Sequence, residues 1–136
     1  MTLKEYFGND RFARLAGAKL LTVRPGYAKA AMPVTPDVLN ASGIVQGGAI
    51  FTLADLAFAA AVNTHDNLTV SVNCNIAFLK CAESGTLTAE AQELFDHRRL
   101  PFAQVRVTDQ NNELIALFTS SGYRKSSSKI LFDALE

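Results

Sequence analysis

The chain has 136 residues, 49% apolar and 19% charged, with thirteen basic residues balanced by thirteen acidic ones. That length supports one domain with a single core, and a zero net charge argues against the strongly positive face that broad nucleic-acid binding needs. The longest apolar stretch, Gly47 to Val62, is too short to span a bilayer and contains Asp55.

Met1 to Phe7 carries Lys4 and Glu5 and lacks the apolar run of a signal peptide. Cys74 and Cys81 have no metal-ligand spacing and are too few for a disulfide framework. Free thiols in a cytoplasmic protein are the expectation. Asn9 or Asp10 can cap a short helix, Asp10 to Ala16, that Gly17 ends. Lys19 to Arg24 and Tyr27 to Val34 read as strands around the turn dipeptide Pro25-Gly26. A looser segment from Thr35 to Gln46 follows. Gly47 to Asn63 is then apolar nearly all round, the mark of a buried helix.

The remainder reads as strands. Val70, Val72, Cys74, Ile76 and Phe78 alternate with Ser71, Asn73 and Asn75 over Leu68 to Leu79. Thr86 to Phe95, Phe102 to Val107 and Glu113 to Arg124 are three more strands, the last two joined by the turn Asp109 to Asn112. The tail, residues 126–136, holds a serine run and an apolar patch, Ile130 to Phe132. Four consecutive strands suggest an antiparallel meander, one face of which must cover apolar surface. Only the Gly47 helix is apolar enough. A sheet curved around one central helix, of α+β class, is the expected single domain over residues 1–136.

The segment Asn40 to Asp55 carries the chemistry. It sets Gly47 and Gly48 at a helix start and one carboxylate two turns later among Leu53, Ala54, Leu56, Ala57 and Phe58. First-turn amides lack intrahelical partners and sit at the positive end of the helix dipole. Glycine lets a carbonyl approach them, and such a donor can stabilise a developing oxyanion. A carboxylate in apolar surroundings can be tuned as a general base or nucleophile. Gly47 and Asp55 are eight residues apart, ~12 Å along one helix. If both act on one substrate, they come from two antiparallel helices of a dimer.

Gln46-Gly-Gly, Phe51-Thr-Leu-Ala-Asp55, Val70 to Phe78 and Phe102 to Asp109 together resemble hotdog thioesterases of the phenylacetate-degradation (PaaI-like) type, over roughly Asn40 to Arg124. The resemblance implies a hotdog fold and acyl-CoA thioester hydrolysis, with coenzyme A entering as part of the substrate and neither cofactor nor metal. It implies a homo-oligomer, a dimer or dimer of dimers. Asp55 would be base or nucleophile, and the Gly47 N–H would bind the carbonyl from the partner subunit. Asn40 would position the acyl group or water, and Ser71, from across the interface, would orient water or the thiolate. Without the family, Asn40 is a turn residue and Ser71 an outward strand hydroxyl. The family usually has His where this chain has Gln46, which hydrogen-bonds but does not titrate near neutrality.

Gly48 belongs to the same carbonyl-binding turn. Arg98, Arg99, Arg124 and Lys125 are candidates for the CoA phosphates. Phe51, Phe58 and Phe78 are candidates to line the acyl site, while His65 and His97 are given no catalytic role. The alternative is a non-catalytic acyl-CoA-binding hotdog protein, with Gln46 in its favour. A hotdog dehydratase would need a His, and Asn40 to Asp55 has none.

Overall fold

The computed structural model describes residues 1–129 and 132–135, with side chains described for 1–126 and 132–135. Helices α1 (Leu3–Gly8) and α2 (Arg11–Ala16) precede strands β1 (Lys19–Arg24) and β2 (Tyr27–Pro33). A loop with a 3-10 turn at Pro36–Val38 leads into α3 (Gly47–Val62). Strands β3 (Asn67–Phe78), β4 (Thr86–Phe95), β5 (Phe102–Thr108) and β6 (Leu114–Lys129) follow. Helix α1 adds to the expected order. Thr2 accepts from the Glu5 amide while the Glu5 carboxylate accepts from the Thr2 amide, a reciprocal cap. Asp10 caps α2 through the Ala13 amide, and Gly17 ends it in the left-handed region at φ 86°.

The six strands form one antiparallel sheet in the order β1-β2-β4-β5-β6-β3. The last four strands are therefore not a simple meander. β4, β5 and β6 run consecutively, but β4 lies beside β2, and β3 occupies the far edge beside β6. Four strand spacings, ~19 Å, separate β2 from β3. The sixteen residues of α3, ~24 Å as a helix, are long enough to carry the chain across.

Helix α3 packs on the sheet mainly over β2, β4 and β5. Small residues let it lie close. Ala28 pairs with Ala91 and Ala30 with Ala89, and all four are fully buried. Phe58 of α3 is also fully buried, in aromatic contact with Phe118. Truncating such a side chain to alanine costs about 3–5 kcal/mol. This is the hotdog arrangement, a sheet around one central helix.

Strand β3 departs from strict alternation. Ser71 pairs with Gly122 but Asn73 pairs with Ser121, so Val72 is an extra, bulged residue. Before the bulge Thr69 and Ser71 face α3; after it Cys74 and Ile76 pack toward the core. Val70 and Val72, which alternation would place with the covered residues, are 38% and 58% exposed. At the C-terminal end β6 runs on through Lys129, so the serine run is strand rather than tail. Beyond it Leu135 pairs with Val23. Of the patch Ile130 to Phe132, only Phe132 lies within the described residues, and it is exposed.

Candidate active site

Asp55 projects from the middle of α3 into a cleft of about 520 Å³, whose other walls include Tyr6, Phe7, Asn9 and Asp10 from the N-terminal helices and Val70 and Ser71 from β3. The Ser71 hydroxyl donates to Asp55 Oδ1 at 3.2 Å. Burial pushes the Asp55 carboxyl above the usual range; the Ser71 hydrogen bond pulls the other way, and the Asp10 charge adds to the rise. A carboxylate held this way binds a proton more readily than a surface Asp, as a general base on water requires.

Two devices bring β3 to Asp55. The first is the bulge at Val72, which turns Ser71 inward. The second is Asn63, 1% exposed, at the end of α3. Its Nδ2 donates to the carbonyls of Ala59 (2.8 Å) and Thr69 (2.9 Å), and its Oδ1 accepts from the Thr69 amide (2.8 Å). The helix end is thereby clamped to the strand two residues before Ser71. Gly122, opposite Ser71, allows the close approach, since a Cβ there would collide with the Thr69 methyl.

Gly47 opens α3 away from Asp55. With Asn40 it lines a separate cleft of about 310 Å³, together with Phe78, Lys80 and Cys81. Among the described residues the Gly47 amide has no hydrogen-bond partner, as expected at a first helical position. The Phe78 ring lies over it, and a Cβ on Gly47 would come within 3.0 Å of that ring. Asn40 uses its carboxamide oxygen locally, accepting from the amides of Ser42 (2.9 Å) and Ile44 (3.2 Å). It builds the turn that presents Gly47, and its Nδ2 makes no hydrogen bond to a described residue.

The predicted residues thus fall into groups. Asp55 and Ser71 meet within one chain. Gly47 and Asn40 share the second cleft. Gln46 and Gly48 line a third, of about 760 Å³, with Phe12, Leu15 and Val38. There the Gln46 side chain folds over Gly48, its Oε1 2.5 Å from where a Cβ would stand. Arg98, Arg99 and Arg124 line a fourth cleft, which Lys125 does not line. Of the aromatic candidates, Phe58 is committed to the core and Phe51 packs edge-on against Phe118, leaving Phe78 at a cleft. The wall contributed by Tyr6, Phe7 and Asn9 was not foreseen. Its signal was the spacing Thr2-x-x-Glu5, a capping box that marks α1.

The thioesterase superfamily profile matches residues 42–116, more than half of the chain and including both Gly47 and Asp55. This chain belongs to the thioesterase superfamily. It is a thioester hydrolase. A putative esterase of Archaeoglobus fulgidus is 39% identical over 124 residues, covering 90% of this chain and 80% of that protein. The acyl-coenzyme A thioesterase PaaI of Escherichia coli is 33% identical over 119 residues, covering 87% and 85%. The solved structure of E. coli PaaI, from the phenylacetic acid degradation operon, superposes with a TM-score of 0.88 at 31% identity, covering 93% of this chain and 91% of that one. Among the described residues no helix is long and apolar enough to cross a membrane.

Proposed function

We propose that this thioester hydrolase acts on acyl-CoA, cleaving it to free acid and CoA in composite sites shared by two copies of the chain. The observation that carries the proposal is the division of α3: Asp55 faces one cleft and Gly47 another. Each chain therefore holds two half-sites. Two α3 helices side by side and antiparallel would bring Asp55 of one copy to Gly47 of the other, and two-fold symmetry would make two such sites. The exposed edge of β3 supports the pairing. It is twelve residues long and carries exposed Val70, Val72 and Phe78, an edge that soluble proteins usually cover.

In that site the Gly47 amide of one copy would polarise the thioester carbonyl and hold the oxyanion. Asp55 of the other copy would take a proton from water as it attacks, or attack the carbonyl carbon itself to form a mixed anhydride that water then hydrolyses. The thiolate leaves and takes up a proton. Ser71 would hold the Asp55 carboxylate in one orientation, Asn40 would order the turn behind Gly47, and Gln46 would stand at the helix start where the family usually has His. The name of the E. coli relative, an acyl-coenzyme A thioesterase, supports the substrate class.

The test is thiol release from a panel of acyl-CoA esters by the wild type, by Asp55→Ala and by Gly47→Val, each checked for folding and oligomeric state. Both variants are expected to lose activity. Randomly mixed Asp55→Ala and Gly47→Val subunits should regain about a quarter of the wild-type sites, because half of the dimers carry one intact composite site. No recovery in verified mixed dimers would sink the shared site. A folded wild type that binds acyl-CoA without turning it over would favour the non-catalytic binding reading.

A further inference from the structure

Asp55 shares its cleft with a second carboxylate. Asp10, at the junction of α1 and α2, lines the same walls. The other titratable groups there are the Tyr6 phenol and the amino group at Met1; β3 contributes neutral side chains, and so does α3 apart from Asp55 itself. No Arg, Lys or His side chain lines the cleft. Among the described residues neither Asp10 nor Asp55 is in an ion pair. On α2, Arg11 is exposed and Arg14 donates to the Gly8 carbonyl (2.8 Å) rather than to Asp10. Two carboxylates on one partly enclosed space, with no basic side chain between them, repel each other.

Asp10 is held in place. Its amide donates to the Phe7 carbonyl (3.1 Å), its carbonyl accepts from the Arg14 amide (3.1 Å), and its Oδ1 accepts from the Ala13 amide (3.0 Å). Its Oδ2 has no hydrogen-bond partner among the described residues. Capping α2 uses one oxygen and does not require a charge, since Asn and Ser cap a helix about as well as Asp. The cap therefore fixes where the carboxylate stands, and the negative charge it carries is left over for the cleft.

That charge bears on two steps. Burial raises the proton affinity of Asp55, and the Asp10 charge raises it further. Asp55 loses its own charge when it takes a proton from water, so the repulsion between the two groups is relieved in that step. Water adds to the thioester carbon and the C–S bond breaks; one proton of the water ends on the departing thiol sulfur and the other is released to solvent from the new acid. A carboxylate is thus formed beside Asp55, where a neutral ester had been. We propose that Asp10 is an electrostatic positioning residue for this hydrolysis, a fixed negative charge that favours proton transfer to Asp55 and drives the carboxylate product out of the cleft. The inference rests on the reading of Asp55 as general base given above.

Asp10→Asn and Asp10→Ser keep a capping oxygen and remove the charge, so folding and oligomeric state should match the wild type. With the acyl-CoA ester that the wild type turns over fastest, the acidic limb of the kcat/KM profile should move to lower pH in both variants, and by less at high salt than at low. Inhibition by the free acid should tighten about twofold to fivefold, the size of one screened contact between charges. Carboxyl-carbon NMR reads the Asp55 titration without turnover and should show the same direction. Folded variants whose Asp55 titration and product inhibition equal those of the wild type would reduce Asp10 to a helix cap and overturn the proposal, as would a limb moved to higher pH. Asp55→Ala, measured alongside, separates this inference from the reading beneath it. Full activity in Asp55→Ala would refute the general base itself, whereas an inactive Asp55→Ala beside unchanged Asp10 variants would overturn only the role of Asp10. If the wild type hydrolyses no acyl-CoA, that substrate reading falls, and the NMR titration still decides whether Asp10 acts on Asp55.

Discussion

Asn63→Ala tests how the strand is held to the helix. Asn63 is buried and makes three side-chain hydrogen bonds, two of them to the backbone of Thr69, which is itself 3% exposed. Alanine removes those two partners and leaves the Thr69 amide and carbonyl without them. The Ala59 carbonyl keeps its bond from the Asn63 amide. Each stranded buried group costs about 1–3 kcal/mol, so a loss of about 3–4 kcal/mol is expected. That is a large share of a domain stability of about 5–15 kcal/mol. Urea denaturation at matched protein concentration reads it. The midpoint should fall with the slope unchanged. Activity should fall further than stability alone explains, since Thr69 sets the position of Ser71. Asn63→Asp keeps an acceptor for the Thr69 amide but sets a buried carboxylate oxygen against the Ala59 and Thr69 carbonyls, so it should lose at least as much as alanine near neutrality. A loss below about 1 kcal/mol for the alanine variant would refute the clamp.

Two further predictions concern Asp55. Its proton affinity is raised in the folded state, so the native protein holds that proton over a range where the unfolded chain has released it; stability contributed by this group falls as pH rises from the unfolded value through the folded one. Asp55→Asn should therefore be at least as stable as wild type near neutrality, with the advantage shrinking at low pH, while turnover is lost; thermal unfolding across pH measures it, and a variant clearly less stable at neutral pH would contradict the burial cost. Ser71→Ala removes a hydrogen bond that holds the carboxyl down, so the acidic limb of the kcat/KM profile should move to higher pH, and a limb that stays put or moves lower would show that the Ser71 bond does not govern Asp55.

Much of this arrangement could be read from residue order. The Gly47 to Val62 stretch announced a buried helix because almost every side chain on it is apolar, and the lone Asp55 within it stood out for the same reason. Helix geometry also separated Gly47 from Asp55, and the two line different clefts. The strand order was not legible, because β-pairing joins residues distant in sequence and β3 could have lain beside β4 as well as β6. The bulge that turns Ser71 toward Asp55 was not legible either, because simple alternation cannot register one extra residue, and the gathering of Arg98 and Arg99 with Arg124 depends on the β5–β6 pairing that follows.

The bulge at Val72 carries one last consequence. Its side chain is largely exposed, so many residues could stand there without disturbing the core. Removing the position altogether is another matter. A one-residue deletion would let β3 pair regularly with β6 from Thr69 to Phe78, and the residues from Ser71 back to Thr69 would exchange faces. The hydroxyl would turn to the outside and leave Asp55 alone. At this point in the chain geometry depends on counting rather than on chemistry: insertions and deletions between Ser71 and Cys74 should be rare in evolving relatives wherever Ser71 and Asp55 are retained together.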